Sequence, residues 1–127
     1  MNHINDANVR SIRSFIGAKN YKLSKQFYTE LGFHIEDIDS KMCFVRIKEA
    51  LSFYLQDYYV RDWVNNSMLF LEVENLDEFY DWILKKELPS KYKYVRITEI
   101  KNESWGREFF MHDPSGVLWH FGNFNSQ

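Results

Sequence analysis

The chain has 127 residues, 45% of them hydrophobic and 27% charged, a balance that supports one folded domain with its own core. Its 16 Lys and Arg against 18 Asp and Glu give a formal net charge of −2, which argues against nucleic-acid binding, where a basic excess is the usual footprint. One cysteine excludes an internal disulfide framework, and no apolar run is long enough to cross a bilayer.

The first residues, MNHINDANVRSIR, contain no apolar core of a secretory leader, so a cytoplasmic protein is expected. SIRSFIGA (11–18) reads as a first strand. In NYKLSKQFYTELGF the residues Leu23, Phe27, Tyr28 and Leu31 recur at helical spacing, with Asn20 placed to cap the start and Gly32 just past the end. FHIEDID, MCFVRIK and LSFYLQD follow as strands. Alternation puts Cys43 with Val45 and Ile47 on one face, which marks it as an inert core thiol. Glu36, Asp37 and Asp39 form an acidic cluster on the strand after the helix, suited to a solvated edge or to a cation.

The loop QDYYVRDWVNN then leads to a strand, SMLFLEVE, and to a second helix, NLDEFYDWILKKEL. Here Leu76, Phe79, Tyr80, Ile83 and Leu84 form the apolar stripe, and Asn75 with Glu78 resembles a capping box. The basic stretch LKKELPSKYKYVR is flanked by acids and reads as a solvated loop. Three strands follow: YVRITEI, GREFFMHD and VLWHFGN. The last two are joined by a tight turn at DPSG, with Pro114 and Gly116 as the turn residues.

The order strand, helix, three strands thus occurs twice, over about 11–57 and 67–123. It predicts an α+β fold of tandem βαβββ modules, whose curved sheets enclose a concave cleft while the helices cover the convex side. Aromatics make up 18% of the chain, more than a small core needs, so a flat-ligand cleft or an apolar interface is expected. No nucleophile elbow, phosphate loop or dinucleotide fingerprint occurs.

The tandem, the FYTELGF helix end and the DPSG hairpin together resemble the vicinal oxygen chelate superfamily, which includes glyoxalase I, extradiol dioxygenases, and fosfomycin- and bleomycin-resistance proteins. WGREFFMHDPSGVLWHF looks like the corresponding segment of the bleomycin-resistance branch, and NNSMLFLEVENLDEFYDW is similar to that branch through its second helix. Enzymes of the superfamily hold one divalent metal. The positions matching their ligands are Arg13, Phe53, Met68 and His120, of which only His120 is a usual donor. The resemblance therefore implies a protein without metal or other cofactor.

By the same resemblance it implies a homodimer that sequesters a bleomycin-like ligand rather than an enzyme. The metal-dependent lyase or dioxygenase is the alternative. The ligand residues carried over are Trp105, Phe70, Phe53, Glu36, Asp37, Arg107 and His120. Trp105, beside Gly106 at a strand entry, suits a cleft or an interface. Phe53 and Phe70 alternate along strands and fit a core equally well. Arg107 and Glu108 suit salt bridges across the hairpin, and His120 suits a partly buried histidine satisfied by a neighbour. Two departures from the branch stand out. No proline occurs near Ser14, where it helps an N-terminal arm cross to the partner, and a cleft aromatic after LGF is replaced by Met42 or missing.

Overall fold

In the computed structural model, residues 2–126 are described. A 3-10 turn at Ile4–Asp6 and an exposed extended stretch lead into β1 (Phe15–Gly17), α1 (Tyr21–Glu30), β2 (His34–Asp39), β3 (Met42–Lys48) and β4 (Leu51–Gln56). A short helix, α2 (Arg61–Val64), separates this half from β5 (Met68–Glu72), α3 (Leu76–Lys85) and α4 (Leu88–Lys91). The chain ends with β6 (Arg96–Ile97), β7 (Lys101–Asn102), β8 (Gly106–His112) and β9 (Leu118–Phe124).

The two halves repeat one topology. The first sheet has the order β1-β4-β3-β2 and the second β5-β9-β8-β6, with β7 also on β8. In each, the strand before the helix returns parallel to the last strand of its half, β1 to β4 and β5 to β9, and the other pairs are antiparallel. This is the expected tandem βαβββ fold.

The helices begin where their caps dictate. Asn20 accepts the Leu23 amide at 3.1 Å, and Asn75 accepts the Glu78 amide at 3.0 Å while its own Nδ2 donates to Glu78 Oε2. Gly32, at φ 102°, turns the chain out of α1 in a conformation open mainly to glycine. Period-2 alternation buries one face of each sheet: Cys43, Val45, Phe53 and Leu55 in the first, Phe109, Met111, Trp119 and Phe121 in the second. Cys43 is fully buried, and burial pushes its thiol up.

One cluster joins the halves. Trp119 packs against Phe53, Phe33 and Tyr28, and its Nε1 donates to the Tyr28 hydroxyl at 2.9 Å. Tyr28 in turn donates to Asp113 Oδ2 at 2.7 Å. Asp113 Oδ1 accepts the amides of Ser115, Gly116 and Val117 at 2.8, 2.9 and 2.9 Å, which closes the DPSG turn. The turn is therefore held by a buried carboxylate as much as by Pro114 and Gly116.

The expected strand YVRITEI is a correction. Only Arg96 and Ile97 pair as β6, opposite His112 and Met111, and pairing resumes at Lys101 and Asn102, opposite Glu108 and Arg107. Between Ile97 and Lys101 the chain takes one residue more than β8 does between Met111 and Glu108. Thr98 fills the gap, since its Oγ1 accepts the Phe110 amide at 2.9 Å and its own amide donates to the Phe110 carbonyl at 3.0 Å.

Candidate functional site

The faces of the two sheets turned away from α1 and α3 carry exposed aromatic rings. On the first sheet, register aligns Phe15, Tyr54, Phe44 and Glu36 in one row across β1, β4, β3 and β2. Phe15 stacks on Tyr54 with centroids 4.8 Å apart, and Phe44 lies 6.0 Å from Tyr54. The Arg13 guanidinium sits 4.7 Å over the Phe44 ring and donates from Nη1 to the Tyr54 hydroxyl at 2.8 Å.

On the second sheet, Phe70, His120 and Phe110 form the matching row across β5, β9 and β8. Phe70 meets Trp105 at 5.8 Å and Phe124 at 5.6 Å, and Trp105 meets Phe124 at 5.4 Å. His120 stacks on Phe70 at 6.2 Å and receives the Phe110 ring edge-on at 4.8 Å. Its Nδ1 lies 3.0 Å from Glu108 Oε1 and its Nε2 3.4 Å from Met68 Sδ. Gly106 allows Trp105 to sit here, because any Cβ at that position would collide with the Asn123 carbonyl. Phe15, Phe70 and Phe124 remain 48, 44 and 54% exposed, far above core values. A groove of about 340 Å³ runs between the sheets beside Ser52, Phe70 and Ile12.

Of the residues singled out in the sequence, Trp105, Phe70 and His120 are brought together on the second face and Glu36 lies on the first, 3.2 Å from His34. Phe53 borders the groove between the sheets from within the core, and Asp37 and Arg107 lie away from it. Phe53 is 1% exposed, because the alternation that turns Tyr54 outward turns Phe53 into the core against Tyr28 and Trp119. Asp37 leaves β2 on the side opposite Glu36 and pairs with Lys25 of α1 at 2.6 Å. Arg107 faces α3, where its guanidinium makes a bidentate pair with Asp77, both bonds 2.9 Å.

Several residues of these faces were not anticipated. Phe44, rather than Met42 or nothing, supplies the aromatic of β3. Tyr54 replaces Phe53 by a one-residue change of parity, and Phe124 lies one residue beyond the expected end of its strand. Tyr54 follows by parity only: once Leu55 and Phe53 are both assigned to the core, Tyr54 must point the other way.

The metal positions of the resembled enzymes do not fit a cation here. Arg13 carries its own positive charge and is held by Tyr54, Met68 offers a thioether, and only the His120–Glu108 pair is of metal-ligating type. Among the described residues no group of three or more His, Cys, Asp or Glu is arranged to hold a metal. No helix among them is long and apolar enough to cross a membrane.

No protein-family model and no curated protein sequence matches the chain. Solved structures do. A bleomycin-binding protein complexed with bleomycin superposes with a TM-score of 0.76 at 18% identity, over 92% of this chain and 100% of that one. The bleomycin-binding protein of Streptomyces verticillus complexed with copper(II)-bleomycin gives 0.77 at 18% identity, over 94% and 99%. A bleomycin resistance determinant encoded on the transposon Tn5 gives 0.70 at 19% identity, over 93% and 100%. The chain has the fold of these proteins over more than nine-tenths of its length, and at such identities the likeness is one of fold.

Proposed function

We propose that the chain is a binding protein, not an enzyme, which as a homodimer holds a planar cationic ligand of the bleomycin type, without a metal of its own, in clefts at the subunit interface. The observation that carries this reading is the cluster of Trp105, Phe70 and Phe124 on an open sheet face. Rings packed against one another and left open on one side offer a platform for a flat heteroaromatic group, and they serve no purpose in the monomer's core. Glu36, exposed on the first face, supplies a carboxylate for a cationic tail, and the buried Glu108, paired with His120, adds negative charge at the second. The fold shared with proteins crystallised with bleomycin supports the same ligand class.

The dimer is supported by what the monomer leaves uncovered. Ile12 is 94% exposed in the extended stretch before β1, and Phe15, Met68, Phe70 and Phe124 are exposed on the two faces. Large apolar side chains left exposed on the open faces support an interaction surface there. The reading of a lyase or dioxygenase rests on the His120–Glu108 pair alone and lacks further donors. Titration of the full chain with bleomycin, followed by tryptophan fluorescence, tests the proposal. Saturable quenching at one drug per subunit is expected, and an unchanged signal at high drug concentration removes the ligand assignment. Native mass measurement checks the dimer, and stoichiometric metal in the purified protein overturns metal independence.

A further inference from the structure

We propose a second binding site, for a small multiply charged phosphate ligand, in the concavity where the start of α1, the segment between α4 and β6, and the end of β8 converge. This pocket, of about 450 Å³, is lined by Lys19, Lys93, Arg96 and His112, with Tyr59 and Tyr94 at its rim and the Pro114–Gly116 turn as its floor. No carboxylate lines it, and among the described residues none of its three permanent cations forms an ion pair.

The chain carries more acids than bases and pairs some lysines with them elsewhere, Lys25 with Asp37, Lys41 with Asp57 and Lys91 with Glu30, but brings no acid to the lining of this concavity. Three unneutralised cations around one concavity repel each other and focus a positive potential into it, which an anion relieves. The stretch LKKELPSKYKYVR reads in sequence as a solvated loop. Folding divides it, sending Lys91 to Glu30 and bringing Lys93 and Arg96 to the distant Lys19.

The site is built on fixed backbone. Arg96 and His112 are opposite residues in the β6–β8 pairing, so they stand side by side on the sheet. The Lys19 amide donates to Ser115 Oγ at 2.9 Å, which ties the start of α1 to the turn that Asp113 closes. His112 adds a ring that responds to the occupant: partial burial and the neighbouring Arg96 push its pKa down, and a bound anion opposes both effects. The rings of Tyr59 and Tyr94 lie 5.7 and 5.5 Å from the Lys19 and Lys93 ammonium groups and leave a rim for the organic part of a phosphate ester. A multivalent phosphate matches this set better than a carboxylate, because several donors at different angles must share its oxygens.

The site is independent of the aromatic faces, and its test uses a different probe. Sodium pyrophosphate is titrated into the full-length protein at constant ionic strength, with calorimetry and the ring C–H NMR signals of His112 as readouts, assigned by His112→Gln. Saturable binding at one pyrophosphate per chain and a shift of the His112 signals toward the protonated position are expected. Arg96→Gln should weaken binding at least fivefold and Lys93→Gln/Arg96→Gln at least twentyfold, whereas Lys22→Gln/Lys48→Gln should change it less than twofold. These side chains are exposed and make no hydrogen bonds, so thermal midpoints report whether a variant has lost more than its charge. A titration without saturation, or equal weakening by the two double variants, overturns the proposal in favour of diffuse attraction.

Discussion

The indole of Trp119 donates to the hydroxyl of Tyr28 at 2.9 Å, linking the last strand of the second half to the first helix of the first. Tyr28 passes its own proton donor to Asp113, so three buried groups from three elements are satisfied in series. Chains of this kind matter for what happens when one member is lost, because each remaining partner is stranded away from water.

Asp113→Asn should therefore destabilise the protein by roughly 2 kcal/mol, since an amide cannot accept from Tyr28 and from the three turn amides in the same way. The loss should depend on pH. Burial pushes the Asp113 carboxyl from its ordinary 3.8 up to about 6, with the Tyr28 and backbone hydrogen bonds opposing. The folded pKa is thus above the unfolded one, so the folded state binds the proton more tightly. The wild type's advantage over Asp113→Asn is then largest below about pH 4, falls as pH rises through the window to about 6, and is flat above it. Urea unfolding of both proteins at pH 4 and pH 7 measures this, and a larger advantage at pH 7 would show that the hydrogen bonds outweigh burial.

Phe53 and Phe70 should separate in the same experiment. Phe53→Ala opens a cavity among Tyr28, Phe33 and Trp119 and should cost about 3–5 kcal/mol. Phe70→Ala removes a ring that is 44% exposed, and should cost less than half as much while reducing ligand binding at least tenfold. Equal stability losses would place Phe70 in the core after all.

The contrast between these two residues also shows where sequence reading reached its limit. Both lie in strands found at the expected places, and their caps, helices and hairpin were legible because those signals are local: Asn20 and Asn75 bond three residues on, and Gly32 and Gly116 have positive φ. Which face of a strand meets the core is not local. It depends on Trp119 reaching across to Tyr28, and a one-residue change of parity exchanges Phe53 for Tyr54. Arg107 is placed by the same kind of distant contact. Its neighbour Trp105 lies on the open face, but its own partner, Asp77, comes from α3. YVRITEI carries the composition of a strand, and only the pairing with β8 shows that one residue must bulge out.

Arg107→Ala should accordingly leave ligand binding within twofold of wild type. Its bidentate pair with Asp77 is solvent-exposed, and exposed ion pairs contribute little to stability, so the urea midpoint should hardly move. A large loss of affinity with an unchanged midpoint would bring Arg107 back into the site by way of a ligand long enough to reach around the end of β8.

Trp105 gives the sharpest separation of binding from folding. It is half-buried, it meets Phe70 edge-on and Phe124 at a tilt, and Gly106 holds its backbone against Asn123 whatever side chain precedes it. Removing the indole therefore exposes the flanks of two rings that are already open to solvent and leaves no enclosed cavity to penalise the fold. Trp105→Ala should cost at most about 2 kcal/mol in stability, below the usual loss for a fully buried tryptophan. Its effect on a stacked planar ligand should be much larger, a fall in affinity of thirtyfold or more, together with loss of the ligand-dependent part of the fluorescence. Trp105→Phe keeps a platform of smaller area and should recover a large part of the affinity. A Trp105→Ala protein that binds normally, with Phe70→Ala also silent, would move the ligand off this face altogether.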